Sequence, residues 1–177
     1  VNQICDYLIE SGYNKTIEVM VSSRVDSVRE DLLVQMRKAG VRWICYGVES
    51  GNQKILDQMG KKISIEKIKR AFQISREAGF CVAGNFMIGH IGETRESAID
   101  TINLACELKQ DYASFAIAIP LPGTELYKHC LDIGIPIPNW NDFGSVNTPP
   151  IPLNETMKVE ELLELMTLAV NRFFKRP

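Results

Sequence analysis

Residues 41–51, VRWICYGVESG, form an apolar run that stops abruptly at a carboxylate, a hydroxyl and a glycine. Ala39-Gly40 closes a helical pattern before it, and Ser50 stands three residues ahead of Gln53, the spacing of a capping box. The order is therefore helix, buried strand, loop, helix. Val41, Ile44, Tyr46 and Val48 are too uniformly apolar for a strand with one wet face, so both faces are expected to be covered, as in a parallel sheet flanked by helices. Glu49 falls where this strand stops. In α/β sheets the carboxyl ends of the strands carry ligands, whereas the opposite ends serve stability.

The same alternation runs through the chain. An opening helix with Val1, Ile4, Cys5 and Leu8 on one side ends at Ser11-Gly12. The β-branched run TIEVMVS, residues 16–22, predicts a first strand that stops at the polar cluster 22–26. Ser27 and Glu30 have capping-box spacing for a helix that buries Val28, Leu32, Leu33 and Met36. After Glu49 come a short helix with Ile55, Leu56 and Met59, and a longer one capped by Ser64 with Ile68, Ala71 and Phe72 inward. FCVAGNFMI, residues 80–88, predicts the third strand. Thr94 caps the next helix, and YASFAIAI, residues 112–119, predicts the fourth strand. Three strand-helix-strand units in succession require a parallel sheet with right-handed crossovers and helices outside it. After Ile119 follow a short helix near Thr124, a stretch rich in Pro, Asn and Asp over 135–152, and an amphipathic helix over 159–174 that should pack on the sheet or cover an opening. The expected division is a barrel unit over 1–134 and a connection with a terminal helix over 135–177.

Composition narrows the function. With 177 residues, 45% of them hydrophobic, the chain can bury a sizeable core. A net charge of -2 leaves no basic stripe for nucleic acid, and no apolar run reaches the length of a membrane span. Cys5, Cys45, Cys81, Cys106 and Cys130 are too dispersed for a metal knuckle and odd in number, which fits small core residues in a reducing cytoplasm. The start at Val1 inside a helical pattern reads as a piece of a longer protein. Two histidines and no nucleophile elbow give no sign of acyl transfer, so no catalytic residue and no metal ligand is assigned. What the four strand ends present is Ser22 with Arg24, Glu49 with Ser50, Asn85, and the loop at Pro120. This set suits holding a polar small molecule.

SSRVD after the first strand, CYGVESGNQKIL at the second, GNFMIGHIGET at the third and AIPLPGTELY at the fourth together resemble the radical S-adenosylmethionine superfamily over about residues 1–130. The resemblance is strongest to the subset with an upstream cobalamin-binding domain, which includes anaerobic magnesium-protoporphyrin monomethyl ester cyclases; methylthiotransferases share much of the pattern. It implies a partial TIM-like (β/α) barrel, about four of six parallel strands with outer helices. It also implies S-adenosylmethionine and a 4Fe-4S cluster as cofactors, with cobalamin through an upstream domain as a further option. Reductive cleavage would give a 5′-deoxyadenosyl radical that abstracts hydrogen from a small-molecule substrate, a tetrapyrrole being one option, with an electron donor such as flavodoxin or ferredoxin.

Residue by residue, the resemblance implies that Glu49 contacts the cofactor's ribose or amino group and Asn85 its ribose. Lys61, or the adjoining Lys62, would pair with the methionine carboxylate. Ser22 and Arg24 match the polar end of a strand, and residues 115–117 would offer the adenine backbone groups and an apolar wall. Each has a plainer alternative: Glu49 as a surface carboxylate at the N-terminus of the following helix, Asn85 as a partner of neighbouring backbone, the lysines as solvated loop cations, and Arg24 as a partner of Asp26. Two departures stand out. Ile91 replaces the proline of the family's PGET loop, and the CxxxCxxC motif is absent, so the cluster's ligands lie outside this chain. The alternative reading is a cluster-free binding or scaffold domain without redox chemistry. A barrel sheet cut before its third strand exposes the edge of the run 16–22, so the chain is further expected to self-associate, most simply as a twofold dimer.

Overall fold

The computed structural model describes residues 1–137, 153 and 156–175. Its elements are α1 (Asn2–Glu10), β1 (Val19–Ser23), α2 (Glu30–Lys38), β2 (Val41–Glu49), α3 (Gln53–Gln58), α4 (Ile65–Glu77), β3 (Cys81–Ile88), α5 (Arg95–Glu107), β4 (Tyr112–Ile117), α6 (Glu125–Asp132) and α7 (Val159–Phe174). The four strands pair in sequence order β1-β2-β3-β4, all parallel. Residues 138–152 of the Pro-rich connection lie outside the described residues.

The strands alternate with a period of two, and the two faces have different fates. Ile44, Tyr46 and Val48 of β2 and Val82, Phe86 and Ile88 of β3 are sealed beneath the helices. There they meet Leu33 and Met36 of α2, Ile68 and Phe72 of α4, Ile102 of α5 and Leu162, Leu165 and Ala169 of α7. Each such aliphatic or aromatic side chain contributes about 1.5–3 kcal/mol by leaving water. Tyr46 is also satisfied as a polar group: its hydroxyl lies 2.7 Å from Ser75 Oγ, and its ring packs 5.1 Å from that of Phe72.

The opposite face is open. Met20 is 68% and Tyr112 50% exposed, Ser22, Asn85 and Ser114 are exposed, and Trp43 and Cys45 are only half-buried. The expectation of cover on both faces of β2 therefore holds for one face among the described residues. α7 packs against α5, β3 and β4 in the outer layer. Of the cysteines, Cys5 and Cys130 are buried as expected, whereas Cys45 and Cys81 are half-buried on the open face.

Three boundaries differ from expectation, each for a local reason. β1 begins at Val19 because Thr16 and Ile17 donate their N–H groups to Tyr13 O in a turn. Ser27 does not cap α2; its hydroxyl donates to Arg24 O at 2.8 Å, and the helix starts after Arg29. The N-cap of α3 is Asn52, whose side chain accepts from Lys54 and Ile55, so Ser50 serves elsewhere.

Candidate functional site

The strand end at Glu49 is unusual in its backbone. Glu49 has φ +70°, a conformation that residues with a Cβ rarely adopt. Ser50 N donates to Val48 O at 3.0 Å, an i to i+2 bond. Positive φ with this bond defines the strained form of γ-turn, centred on Glu49. The β2–β3 register shifts between Gly47 and Glu49 at the same place. As a result the Glu49 side chain folds back over the strand, where a Cβ on Gly47 would stand 2.9 Å from its Oε1. Lys61 Nζ donates to that oxygen at 3.0 Å, and both side chains remain partly exposed, 27% for the lysine and 21% for the glutamate.

The neighbouring strands add polar groups on the open face. Gly47, Asn85 and Ser114 lie in one cross-strand row, and Ser22, Cys45, Ala83 and Tyr112 in the next. Burial pushes the Cys45 thiol up from its ordinary range, against a hydrogen bond from Asn85, so this sulfur stays protonated at neutral pH. The structure thus brings Glu49, Lys61 and Asn85 together, with Ser22 on the same face, one strand from Glu49 and two from Asn85. Arg24 is engaged by Asp26 through two bonds, Nε to Oδ1 at 2.9 Å and Nη2 to Oδ2 at 2.7 Å, which hold the Asp26 carboxyl below its usual range. Ser50 is fully buried and takes part in packing against α5.

Of the apolar wall expected from residues 115–117, only Ala116 lies on this face. Phe115 stacks on Phe86 at 5.4 Å and approaches Phe173, and Ile117 joins the cluster beneath α5 and α7. Strand alternation puts Ser114 and Ala116 on the open face instead. Two features escaped the sequence reading. Gly47 leaves the space for the folded-back carboxylate, and a glycine inside a strand is the signal for such close approach. Glu93 is wholly buried, its Oε2 accepting from Gly89 N, and burial raises its pKa to about 7. Beyond β3, His90 and His129 line a rim recess of about 660 Å³ between the end of α3 and α6.

The donor set fits one implied cofactor and not the other. A carboxylate beside an ammonium, with an amide and a hydroxyl on the same face, offers the acceptors and donors that an amino-acid zwitterion and a ribose require. For the cluster, no three His, Cys, Asp or Glu side chains among the described residues are placed to hold a metal ion. Nor, among those residues, is any helix long and apolar enough to cross a membrane.

The chain resembles several known proteins in sequence and in fold. An uncharacterized methyltransferase of Pyrococcus horikoshii is 31% identical over 157 residues, covering 88% of this chain and 34% of that protein. The anaerobic magnesium-protoporphyrin IX monomethyl ester cyclase of Cereibacter sphaeroides is 27% identical over 176 residues, covering 98% and 28%. This chain thus spans about a third of the length of these relatives. Among solved structures, the radical SAM enzyme coproporphyrinogen III oxidase from Escherichia coli superposes with a TM-score of 0.67 at 17% identity, over 89% of this chain and 32% of that one. The Kitasatospora setae radical S-adenosylmethionine methyltransferase, solved with cobalamin and a 4Fe-4S cluster, gives 0.63 at 16%, over 78% and 29%. These likenesses identify the four-stranded sheet as part of a TIM-like barrel. The Radical SAM superfamily model matches residues 2–105, more than half of the sequence, and this chain belongs to that superfamily.

Proposed function

We propose that this chain forms the S-adenosylmethionine-contacting part of a radical SAM enzyme, with the cluster held by cysteines outside it. The observation that carries this reading is the Glu49–Lys61 pair, set by a strained γ-turn at a strand end beside an exposed amide. Strain of this kind concentrates at functional sites. Glu49 accepts from the ribose or amino group, Lys61 pairs with the methionine carboxylate, and Asn85 and Ser22 bond the ribose side. Arg24 enters only by exchanging Asp26 for a ligand group. When bound, the cluster and S-adenosylmethionine supply a one-electron reductive cleavage; this chain's residues bind and orient.

Relatives named as a methyltransferase and as cyclases support small-molecule chemistry of the cyclase or methyl-transfer type, with an oxidoreductase class and cobalamin as finer options. A flavodoxin- or ferredoxin-like donor in a reducing cytoplasm completes the proposal, a setting consistent with five unpaired cysteines. The alternative, a cluster-free binding domain, predicts no cleavage at all.

The test is made in the cluster-loaded enzyme that contains this chain. Glu49→Ala should weaken S-adenosylmethionine binding about ten- to a hundredfold, the worth of a charge-assisted hydrogen bond of about 1.5–3 kcal/mol. Asn85→Ala should do less, because its bonds are neutral. Binding equal to that of the exposed control Glu66→Ala would refute the assignment. We also propose that the purified chain associates through the open face and the β1 edge, where Met20 is exposed. Light scattering at micromolar concentration should then exceed the 19.9 kDa of one chain, and a stable monodisperse monomer would contradict this.

A further inference from the structure

A strained turn persists only where its surroundings over-determine it. For Glu49 those surroundings lie on α5, the helix that follows the next strand. Thr101 of α5 is fully buried, as is Ser50. Thr101 Oγ1 donates to Ser97 O at 3.2 Å and accepts from Gly51 N at 2.9 Å. Because its one proton is spent on Ser97, the 3.2 Å contact with Ser50 Oγ has the serine as donor. Ser50 Oγ in turn accepts from Asn52 N at 3.1 Å, and Asn52 Nδ2 donates to Asp100 Oδ2 at 2.8 Å. The three residues after Glu49 are thus each tied to α5 or to one another.

The fit is close as well as bonded. A Cβ on Gly51 would stand 2.5 Å from Asp100 O and 2.7 Å from Thr101 Cα, both backbone atoms that cannot swing aside. The chain leaving β2 is therefore drawn onto α5 within one residue of the strand's end. Glu49 alone absorbs the change of direction, by the positive φ and the Val48–Ser50 bond.

We infer that Thr101 is a positioning residue of this site: by holding Ser50 and Gly51 against α5 it maintains the γ-turn that folds the Glu49 carboxylate over Gly47 toward Lys61. What Glu49 does once placed rests on the function proposed above; the clamp itself does not.

Two measurements separate the claims. The first is urea unfolding of Glu49→Gly and Glu49→Ala, each with Thr101 and with Thr101→Val. Glycine adopts φ +70° without strain, so with Thr101 present Glu49→Gly should unfold at the higher urea concentration. With Thr101→Val the loop is released and the gap should close, whereas Thr101→Ser should keep it. A gap that persists unchanged in Thr101→Val overturns the inference. Should Thr101→Val not fold, Ser50→Ala removes the same link and is read in the same way.

The second is S-adenosylmethionine affinity in the cluster-loaded enzyme containing this chain. Thr101→Val should weaken it about tenfold, the loss equivalent to one hydrogen bond, and Thr101→Ser should restore it. If Glu49→Ala weakens binding while Thr101→Val does not, the positioning role is wrong. If the stability gap closes as expected but Glu49→Ala leaves affinity unchanged, the clamp stands and the proposed function of Glu49 fails.

Discussion

Glu49 and Glu93 both occupy loops that follow neighbouring strands, β2 and β3, yet one carboxylate reaches the open face and the other is sealed inside its own loop. Glu49 sits on a strained backbone and meets a lysine side chain. Glu93 is fully buried, and its carboxylate accepts backbone N–H groups at Gly89 and His90. Its own carbonyl accepts from Thr156 Oγ1 at 2.6 Å, tying the loop to the segment ahead of α7. The turn needs Gly92 at φ +73°, and Glu93 N closes it on His90 O at 3.0 Å, so the loop is formed although Ile91 stands where the family has proline. What separates the two is where the strain and the hydrogen bonds go. Around Glu93 glycines take the positive φ and the carboxylate is consumed by backbone donors. At Glu49 the carboxylate residue itself takes the positive φ, and its side chain is left for another charge.

Titration of Glu93 should break or sharpen this contrast most. Its pKa rises from the model-compound value of 4.5 to about 7 because burial penalises the charged form. The folded state thus binds the proton more tightly than the unfolded state between these values, so stability is fullest below pH 4.5 and falls as pH rises toward 7. The shift corresponds to a loss on the order of 3 kcal/mol across that window. Glu93→Gln keeps an acceptor for Gly89 and removes the charge, so its urea midpoint should lose this pH dependence. A slope equal to the parent's would assign the titration to another group.

A smaller effect is expected at Gly47. In Gly47→Ala the new methyl group stands 2.9 Å from Glu49 Oε1, the mobile end of a side chain, and 3.7 Å from Lys61 Nζ. The carboxylate should move rather than the backbone, leaving stability within about 1 kcal/mol of the parent. S-Adenosylmethionine affinity in the cluster-loaded enzyme should nevertheless fall several-fold, since a displaced charge-assisted bond forfeits part of its roughly 1.5–3 kcal/mol. The contrast predicts separate signatures: Glu93 substitution alters stability and its pH dependence, and Gly47 substitution alters binding. A large stability loss in Gly47→Ala with unchanged affinity would reverse the roles.

Much of the candidate site was legible because the motifs name strand ends. Glu49, Lys61 and Asn85 converge as the strand-helix alternation requires, while Ser22 lies on the same face at the sheet edge. Which of Lys61 and Lys62 meets Glu49 was not legible, since adjacent lysines have the same local chemistry and only the folded chain pairs Lys61 with it. Arg24 was readable either way until its two bonds to Asp26 were seen. The wall assigned to residues 115–117 is reduced to Ala116 because every other residue of a strand turns away, which puts Phe115 and Ile117 on the covered face.

The sequence by itself determined the order of helices and strands, the parallel sheet and the caps at Ser64 and Thr94, because these depend on periodicity and on hydrogen bonds spanning a few residues. Tertiary structure alone decided which face of the sheet stays open, why Asn52 rather than Ser50 caps α3, and how Glu49 is aimed. Those outcomes depend on Thr101, Asp100 and Gly51, which meet across about fifty residues of chain. No local pattern records such a meeting: the hydroxyl of Ser50 has the spacing of a helix cap, and only the approach of α5 gives it a different partner.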